Sequence, residues 1–338
     1  MPETGQLDMI VKRMKGEMTV KTVFSLALVI ASLGASVRAQ APTNPQDALA
    51  AMLAKQANAS VSVMPLRAGA YWVSGGVSNT GFVIGAAGVV AIDPQKYASV
   101  AQRELAEIAN ITPKPVDIMI VTHADPDHVN GLPGWPAGMR IIAHENAAAE
   151  IAINLTDTDP FDQPPPPEVK GYTPTETLRF SKDLVLDGLR VRLIHVGPAH
   201  TDGDLVVYFP DLKIVYAGDL LTGELYPFIH VVRSGPLAKG PLGALNKHGS
   251  SLGWIQAMST ILDLDADTYV PGHGPMQSKV ELRKRLEATV ARRAQIQSLF
   301  QQGMTLEQIK AAVHEPAVTS GPFPSFTETT YLELTFGT

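Results

Sequence analysis

Apolar positions along the chain fall into short runs broken by turn residues, with a few longer stretches at helical spacing. "AYWVSGG" (70–76), "NTGFVIG" (79–85) and "GVVAIDP" (88–94) read as successive strands, each bounded by Gly, Asn or Pro. In "YASVAQRELAEIANI" (97–111), Val100, Leu105, Ile108 and Ile111 recur at near-helical spacing and predict a helix. The apolar run "VDIMIV" (116–121) predicts a fully buried strand, "MRIIAH" (139–144) another strand and "ENAAAEIAI" (145–153) a helix. The Pro-rich polar stretch 156–174 reads as a surface loop or insertion. Beyond it, "LVLDGLRVRLIHV" (184–196) is a hairpin turning on Asp187-Gly188, and 204–219 a second one turning at Pro210-Asp211. Residues 223–252 are rich in Gly, Pro and Ser and carry few element signals. Helices follow at 252–264 and 279–302, with the strand "DTYVPGHG" (267–274) between them. A last short helix, "TLEQIKAAV" (305–313), has Thr305 as N-cap and Glu307 in its first turn. Strands then helices, twice over, predict an α/β fold of two β-sheets packed face to face with helices outside.

The 338 residues are 45% apolar and 18% charged, enough for one large core or two modest ones. The absence of cysteine excludes disulfide scaffolds, thiolate nucleophiles and Cys-based metal sites, so any metal must be held by His, Asp and Glu. Near the N-terminus, Lys21 precedes an apolar run from Val23 to Leu33 and small residues ending in Val37-Arg38-Ala39. That is the pattern of a secretory signal cleaved near Ala39, with residues 1–17 as an upstream lead. Eleven residues are too few to cross ~30 Å of hydrocarbon. The expectation is therefore a secreted or periplasmic protein with no stable membrane insertion after cleavage. Residues 40–60 would be a linker and 61–338 one domain that includes the C-terminal helices. Residues 1–39 carry five basic and three acidic side chains, so their removal takes the formal charge from −6 to −8. An acidic chain without Lys/Arg clusters argues against nucleic acid as a partner and leaves a small-molecule substrate.

Four places set His or Asp directly after an apolar run: "IVTHADPDH" (120–128), "HVGPAHTDGD" (195–204), "IVYAGD" (214–219) and "YVPGHG" (269–274). Strands fix such loops while leaving their backbone free to shape a site. A single His after a strand is more often a hydrogen-bonded structural residue, and "AGD" or "PGHG" alone is weak. The His-x-Asp-x-Asp-His cluster says more, because crowding carboxylates together is costly unless cations neutralise them. Imidazoles and carboxylates converging from four loops suit one or two metal ions with open positions.

These motifs, in this order, resemble the metallo-β-lactamase-fold hydrolases, which carry His-x-His-x-Asp-His after a strand, a Gly-x-x-His-Thr turn, then Gly-Asp and Gly-His-Gly. The matching residues are His123, Asp127 and His128, then His200 in "GPAHTDGD", Asp219 in "AGD" and His273 in "PGHG", and the likeness covers roughly 60–300. It implies an αβ/βα four-layer sandwich and two divalent metal ions, zinc or alternatively Mn or Fe. It also implies a hydroxide between the ions as nucleophile. By the resemblance, His123 and His200 hold the first ion with position 125 as third ligand. Asp127, His128 and His273 hold the second, Asp219 bridges, and Asp127 orients the nucleophile and shuttles its proton.

The departure is Asp125, where the family usually has His. A ligating Asp125 makes the site more anionic and favours harder metals. An Asp too short to reach leaves a weak first site and one working ion. The implied function is hydrolysis of an ester, thioester, lactone or amide. The alternatives are a β-lactamase and a non-catalytic metal-binding protein on a degenerate hydrolase fold. Against a β-lactamase, enzymes of that branch commonly place Cys or Ser where this chain has Asp219. His230 and His248, in the Gly/Pro-rich stretch after Asp219, are candidates to flank the mouth and bind substrate, or are solvated loop histidines. His144 and His195 are either structural or support the ligands; Tyr226, Phe228 and Trp254 either pack or line an apolar wall; His314 is a surface residue.

Overall fold

The computed structural model describes residues 44–152, 172–230, 248–314 and 324–337. The expected secretory signal, most of the Pro-rich stretch 156–174 and the middle of 223–252 lie outside the described residues. The chain divides into two units, 1–59 and 60–338. In the first unit, the stretch expected as linker contains helix α1 (Pro45–Ala57), started by the Asn44 side chain on the Gln46 N–H with Pro45 in the first turn.

The second unit holds two sheets. The seven-stranded sheet runs in chain order from β1 to β7: β1 (Ser62–Arg67), β2 (Ala70–Ser74), β3 (Thr80–Ile84), β4 (Val89–Ile92), β5 (Val116–Ile120), β6 (Arg140–His144) and β7 (Glu176–Leu178). Strands β1 to β4 pair antiparallel, and β4 to β7 pair parallel. The parallel part is fed by α2 (Ala98–Ile111), the one-turn α3 (Pro126–Val129) and α4 (Glu145–Ala152). The five-stranded sheet comprises β8 (Lys182–Leu186), β9 (Leu189–Ile194), β10 (Val206–Phe209), β11 (Ile214–Tyr216) and β12 (Thr268–Val270), in spatial order β12-β11-β10-β9-β8. Helices α5 (Ser251–Asp263), α6 (Lys279–Gln301), α7 (Leu306–Val313) and α8 (Phe326–Phe336) accompany it.

Alternation along the strands makes this a four-layer sandwich. Val90 and Ile92 of β4 face a shared core with Val207 and Phe209 of β10, between the sheets. Val89 and Ala91, one residue out of phase, pack on the opposite face against Ala101 and Ile108 of α2. In the other sheet, Val206 and Tyr208 turn outward to Trp254, Met258 and Ile261 of α5 and to Leu282 of α6. Trp254 is fully buried and donates its indole N–H to the Leu220 carbonyl, so it packs rather than lining a wall. Truncating it to Ala would cost about 3–5 kcal/mol.

Local signals account for the boundaries. Asp187 and Gly188 both adopt positive φ, 47° and 82°, as a two-residue hairpin turn demands. Helix α7 begins with Thr305 and Gln308 exchanging side chain-to-backbone bonds, and α6 with Ser278 and Glu281 doing the same. His314 closes α7 as an exposed residue in the left-handed region, φ 50°. No helix among the described residues is long and apolar enough to cross a membrane.

Candidate metal centre

The loops after β5, β9, β11 and β12 meet over the core. After β5, Asp125 caps α3 and Pro126 occupies its first turn, and the His128 N–H bonds back to the Asp125 carbonyl at 2.8 Å. This single turn is what compresses two histidines and two aspartates onto one spot. Two donor sets result. His123, Asp125, His200 and Asp219 place one ligand atom each within 4.8 Å of one another, and all four are buried. Asp127, His128 and His273 form the second set by the same measure.

Asp219 joins them. Its Oδ1 lies 3.1 Å from His128 Nε2, and its Oδ2 lies 3.3 Å from His273 Nε2 and 3.8 Å from His200 Nε2. The turn that presents it depends on glycine twice. Gly218 has φ +49°, and a Cβ there would meet Thr122 Oγ1 at 2.4 Å. A Cβ on Gly272 would sit 2.1 Å from Asp219 Oδ1, so "AGD" and "PGHG" need glycine for close approach.

Backbone and buried polar groups fix the imidazoles from behind. His128 Nδ1 is 2.9 Å from Asp93 Oδ2, and His123 Nδ1 is 3.0 Å from Thr122 Oγ1. Thr122 in turn gives its backbone N–H and its hydroxyl to the Asp93 carboxylate, each at 2.7 Å. Asp93 holds a left-handed φ of 59°, backbone strain at the foot of the site. His200 donates from Nδ1 to the Phe228 carbonyl at 2.9 Å. With the Nδ1 atoms so engaged, Nε2 is the atom each ring turns to the centre, as metal-ligating histidines require. The sequence motifs do not point to Asp93, Thr122 or the Phe228 carbonyl. Only "AIDP", an Asp closing an apolar strand, signals one of them.

Nε2 of His123, Nε2 of His128 and Oδ1 of Asp219 are buried without a hydrogen-bond partner among the described residues. The 3.1 Å approach of His128 to Asp219 lacks hydrogen-bond alignment. Buried polar atoms left so are costly. Their convergence, with imidazole nitrogens and carboxylate oxygens as the donor set, fits divalent cations. Without metal the site balances protons instead. Burial alone would lower His200, but Asp125 and Asp219 outweigh it and push it up to about 9. His273 is likewise depressed by burial yet carried up to about 10 by Asp219 and Asp127. Burial would raise the Asp127 and Asp219 carboxyls, yet the facing histidines hold both well below the usual carboxylate range.

Asp125 reaches the first set despite its short side chain. His230 is not at the mouth as expected but 3% exposed, with Nε2 2.9 Å from Asp125 Oδ2. The backbone is the reason, since the His230 N–H donates to the His200 carbonyl and ties this segment to the ligand loop. Phe228 packs against the rings of both His200 and His230. Tyr226 instead stacks on Phe326 of α8, 5.5 Å between ring centres. His248 is exposed and belongs to neither donor set. His144 and His195 stack on each other at 3.9 Å, with both His144 nitrogens and His195 Nδ1 engaged by backbone groups, so they read as structural.

The sequence profile described as the Metallo-beta-lactamase superfamily matches residues 73–273, the span from β2 through His273. The chain belongs to the metallo-β-lactamase superfamily. Among curated relatives in this superfamily, the linear primary-alkylsulfatase of Pseudomonas sp. (strain ATCC 19151) is 25% identical over 289 residues, 74% of this chain and 51% of its own. The 2,4-dinitroanisole O-demethylase subunit alpha of Nocardioides sp. (strain JS1661) is 29% identical over 219 residues, 63% of this chain and 58% of its own. The chain thus spans about half the length of the curated relatives it matches. Of solved superfamily structures, the stereoselective inverting sec-alkylsulfatase Pisa1 from Pseudomonas sp. superposes with TM-score 0.58 at 15% identity, covering 91% of this chain and 52% of that one. A metallo-beta-lactamase from Pontibacter korlensis gives TM-score 0.51 at 20% identity, covering 68% and 98%. At those identities the structures show the superfamily fold alone.

Proposed function

We propose that this chain is a metal-dependent hydrolase that binds two divalent cations and cleaves an ester, thioester, lactone or amide bond in a small molecule. The observation that carries the reading is the pair of donor sets sharing Asp219, with three inward-facing atoms buried and lacking a hydrogen-bond partner among the described residues. His123, Asp125 and His200 would hold the first cation, Asp127, His128 and His273 the second, and Asp219 both. Cations held there would bring the acidity of water toward neutrality and polarise the oxygen that accepts charge.

The chain's own residues supply the rest. Asp127 stands at the more open side, its side chain 20% exposed and its Oδ2 3.0 Å from His273 Nε2. It is suited to orienting an attacking water and passing the proton on toward the leaving group. Asp93 and Thr122 keep His123 and His128 from turning away, and Phe228 packed on His200 excludes water from the buried side. Water adds across the scissile bond, and the leaving oxygen, sulfur or nitrogen departs with the proton.

Within that range, the alkylsulfatase relative makes sulfate esters the first substrates to test, ahead of thioesters, lactones and amides. The secretory reading of residues 1–39 places the reaction outside the cytoplasm, with N-terminal sequencing of exported protein as its check. The function is tested with metal-loaded mature protein on an alkyl sulfate, a thioester, lactones, an amide, a phosphodiester and a chromogenic cephalosporin. Turnover of one of the first four classes, lost on chelation and in D127A, is expected. Cephalosporin turnover alone would make it a β-lactamase. No turnover with both cations bound would make it a binding protein.

A further inference from the structure

Three imidazoles meet one oxygen in the first donor set. Asp125 Oδ2 lies 2.9 Å from His230 Nε2, 3.2 Å from His200 Nε2 and 3.6 Å from His123 Nε2. Two of these rings already have a role, because His123 and His200 are fixed through Nδ1 and their Nε2 atoms serve a cation. His230 is different. Its Nε2 makes the shortest of the three contacts, and its ring is as deeply buried as the ligands.

The segment that carries it grips the first set twice. The Phe228 carbonyl accepts from His200 Nδ1 at 2.9 Å, and two residues later the His230 N–H donates to the His200 carbonyl at 2.9 Å. His230 is therefore placed by the same bonds that place a ligand. Asp125 has the greater need of such support. It is a short carboxylate within one donor set of Asp219, whose charge disfavours a second carboxylate there unless something orients and compensates it. A donor on one carboxylate oxygen does both.

We propose that His230 is the positioning residue of the first metal site: its Nε2–H donates to Asp125 Oδ2 and makes Asp125 a competent ligand where the motif has Asp instead of His. The assignment rests on the two-cation reading above. Removing such a supporting donor weakens metal binding by about 10–100-fold.

The test is metal binding itself, read without turnover. Zinc would be titrated into stripped wild type, H230A, H230Q, D125A and the D125A/H230A double variant, against a competing chelator, with circular dichroism to check folding. Two zinc ions are expected in wild type. H230A should lose about 10–100-fold in affinity for one of them and leave the other unchanged. H230Q, whose amide still donates, should recover most of the loss and remains informative where H230A fails to fold. In the D125A background, adding H230A should cost nothing more. Wild-type affinity for both ions in H230A overturns the assignment while leaving the two-cation reading intact. So does H230Q binding no better than H230A. A further loss from H230A on D125A also overturns it, because His230 would then be a ligand in its own right. A single zinc in wild type overturns the two-cation reading and this assignment with it.

Discussion

Around Asp125 every donor is buried, and one carboxylate oxygen is met by three imidazoles; across Asp219, His273 is 34% exposed and Asp127 20%. The first set is held by protein on all sides, including a carbonyl and an imidazole from 228–230, whereas the second opens to solvent. On the proposed two-cation reading, depth assigns the roles. A buried set determines which metal is kept and how tightly, and an open set is where a substrate's reacting atom and a water can arrive. The unusual residue of the motif, Asp125, thus falls on the side where the protein controls its surroundings most completely.

If Asp219 serves both sets, D219A should be the most damaging single change. It should release both cations and lower hydrolysis roughly 10³-fold or more, since the cations supply several kcal/mol of transition-state stabilisation. Retention of one cation at full affinity in D219A would break the link between the sets. D127A should come next, keeping its fold and at least one cation but losing about 10²–10⁴-fold in turnover.

Depth predicts a sharper contrast between H200A and H273A. Each should lose one cation; without metal and above about pH 10, where both imidazoles are neutral, H200A also strands the half-buried Phe228 carbonyl, costing about 1–3 kcal/mol of stability, while H273A leaves stability nearly unchanged. Equal thermal midpoints for the two variants, measured without metal, would contradict the contrast.

Protonation gives a test that needs no mutation. In the metal-free protein the facing carboxylates push His200 up to about 9 and His273 up to about 10, against 6.5 for an unperturbed histidine. Their protonated pairs with the carboxylates stabilise the fold fully below pH 6.5 and lose that effect as pH rises through 9 and 10. The stripped protein should therefore lose Tm between pH 7 and 10, while zinc affinity climbs over the same interval because binding displaces those protons. A Tm that stays flat there would show that the histidines are neutral.

The smallest effect belongs to a group behind the site. Glu104 is fully buried and its carboxyl is pushed by burial up to about 8, with Thr80 and Gln95 donating to it. An acid raised this way costs stability as pH rises from 4.5 through 8. E104Q should overtake wild type across that window, by a few °C in Tm, the scale that 1 kcal/mol moves a domain of this size. Identical pH dependence in both proteins would exclude the buried proton.

What is legible in the sequence divides along similar lines. Strands buried on both faces announce themselves by unbroken apolar runs such as Val89–Ile92, and hairpins by turn residues such as Asp187-Gly188. Strand β1 escapes notice because Pro65 and the exposed Met64 make it an edge strand without a clean apolar run. β7 has only three residues, and α1 and α8 lie in stretches where Pro and Thr blur the helical signal. In the site, ligands close in sequence are readable because α3 packs them within one turn. Asp93, 35 residues from the ring it holds, and the Phe228 carbonyl are not, since a backbone acceptor leaves no trace in residue type. In the sequence His230 draws attention as a candidate substrate residue at the mouth or a solvated loop histidine, because its pairing with Asp125 spans 105 residues.

The central claim is that Asp125 completes the buried set and that two cations are held. Anomalous scattering from crystals of the metal-loaded protein tests it most directly. Two peaks about 3.5–4 Å apart are predicted, one of them about 2.0–2.2 Å from an Asp125 oxygen, with His123 and His200 beside it. A single peak among Asp127, His128 and His273, with Asp125 turned away, would contradict it.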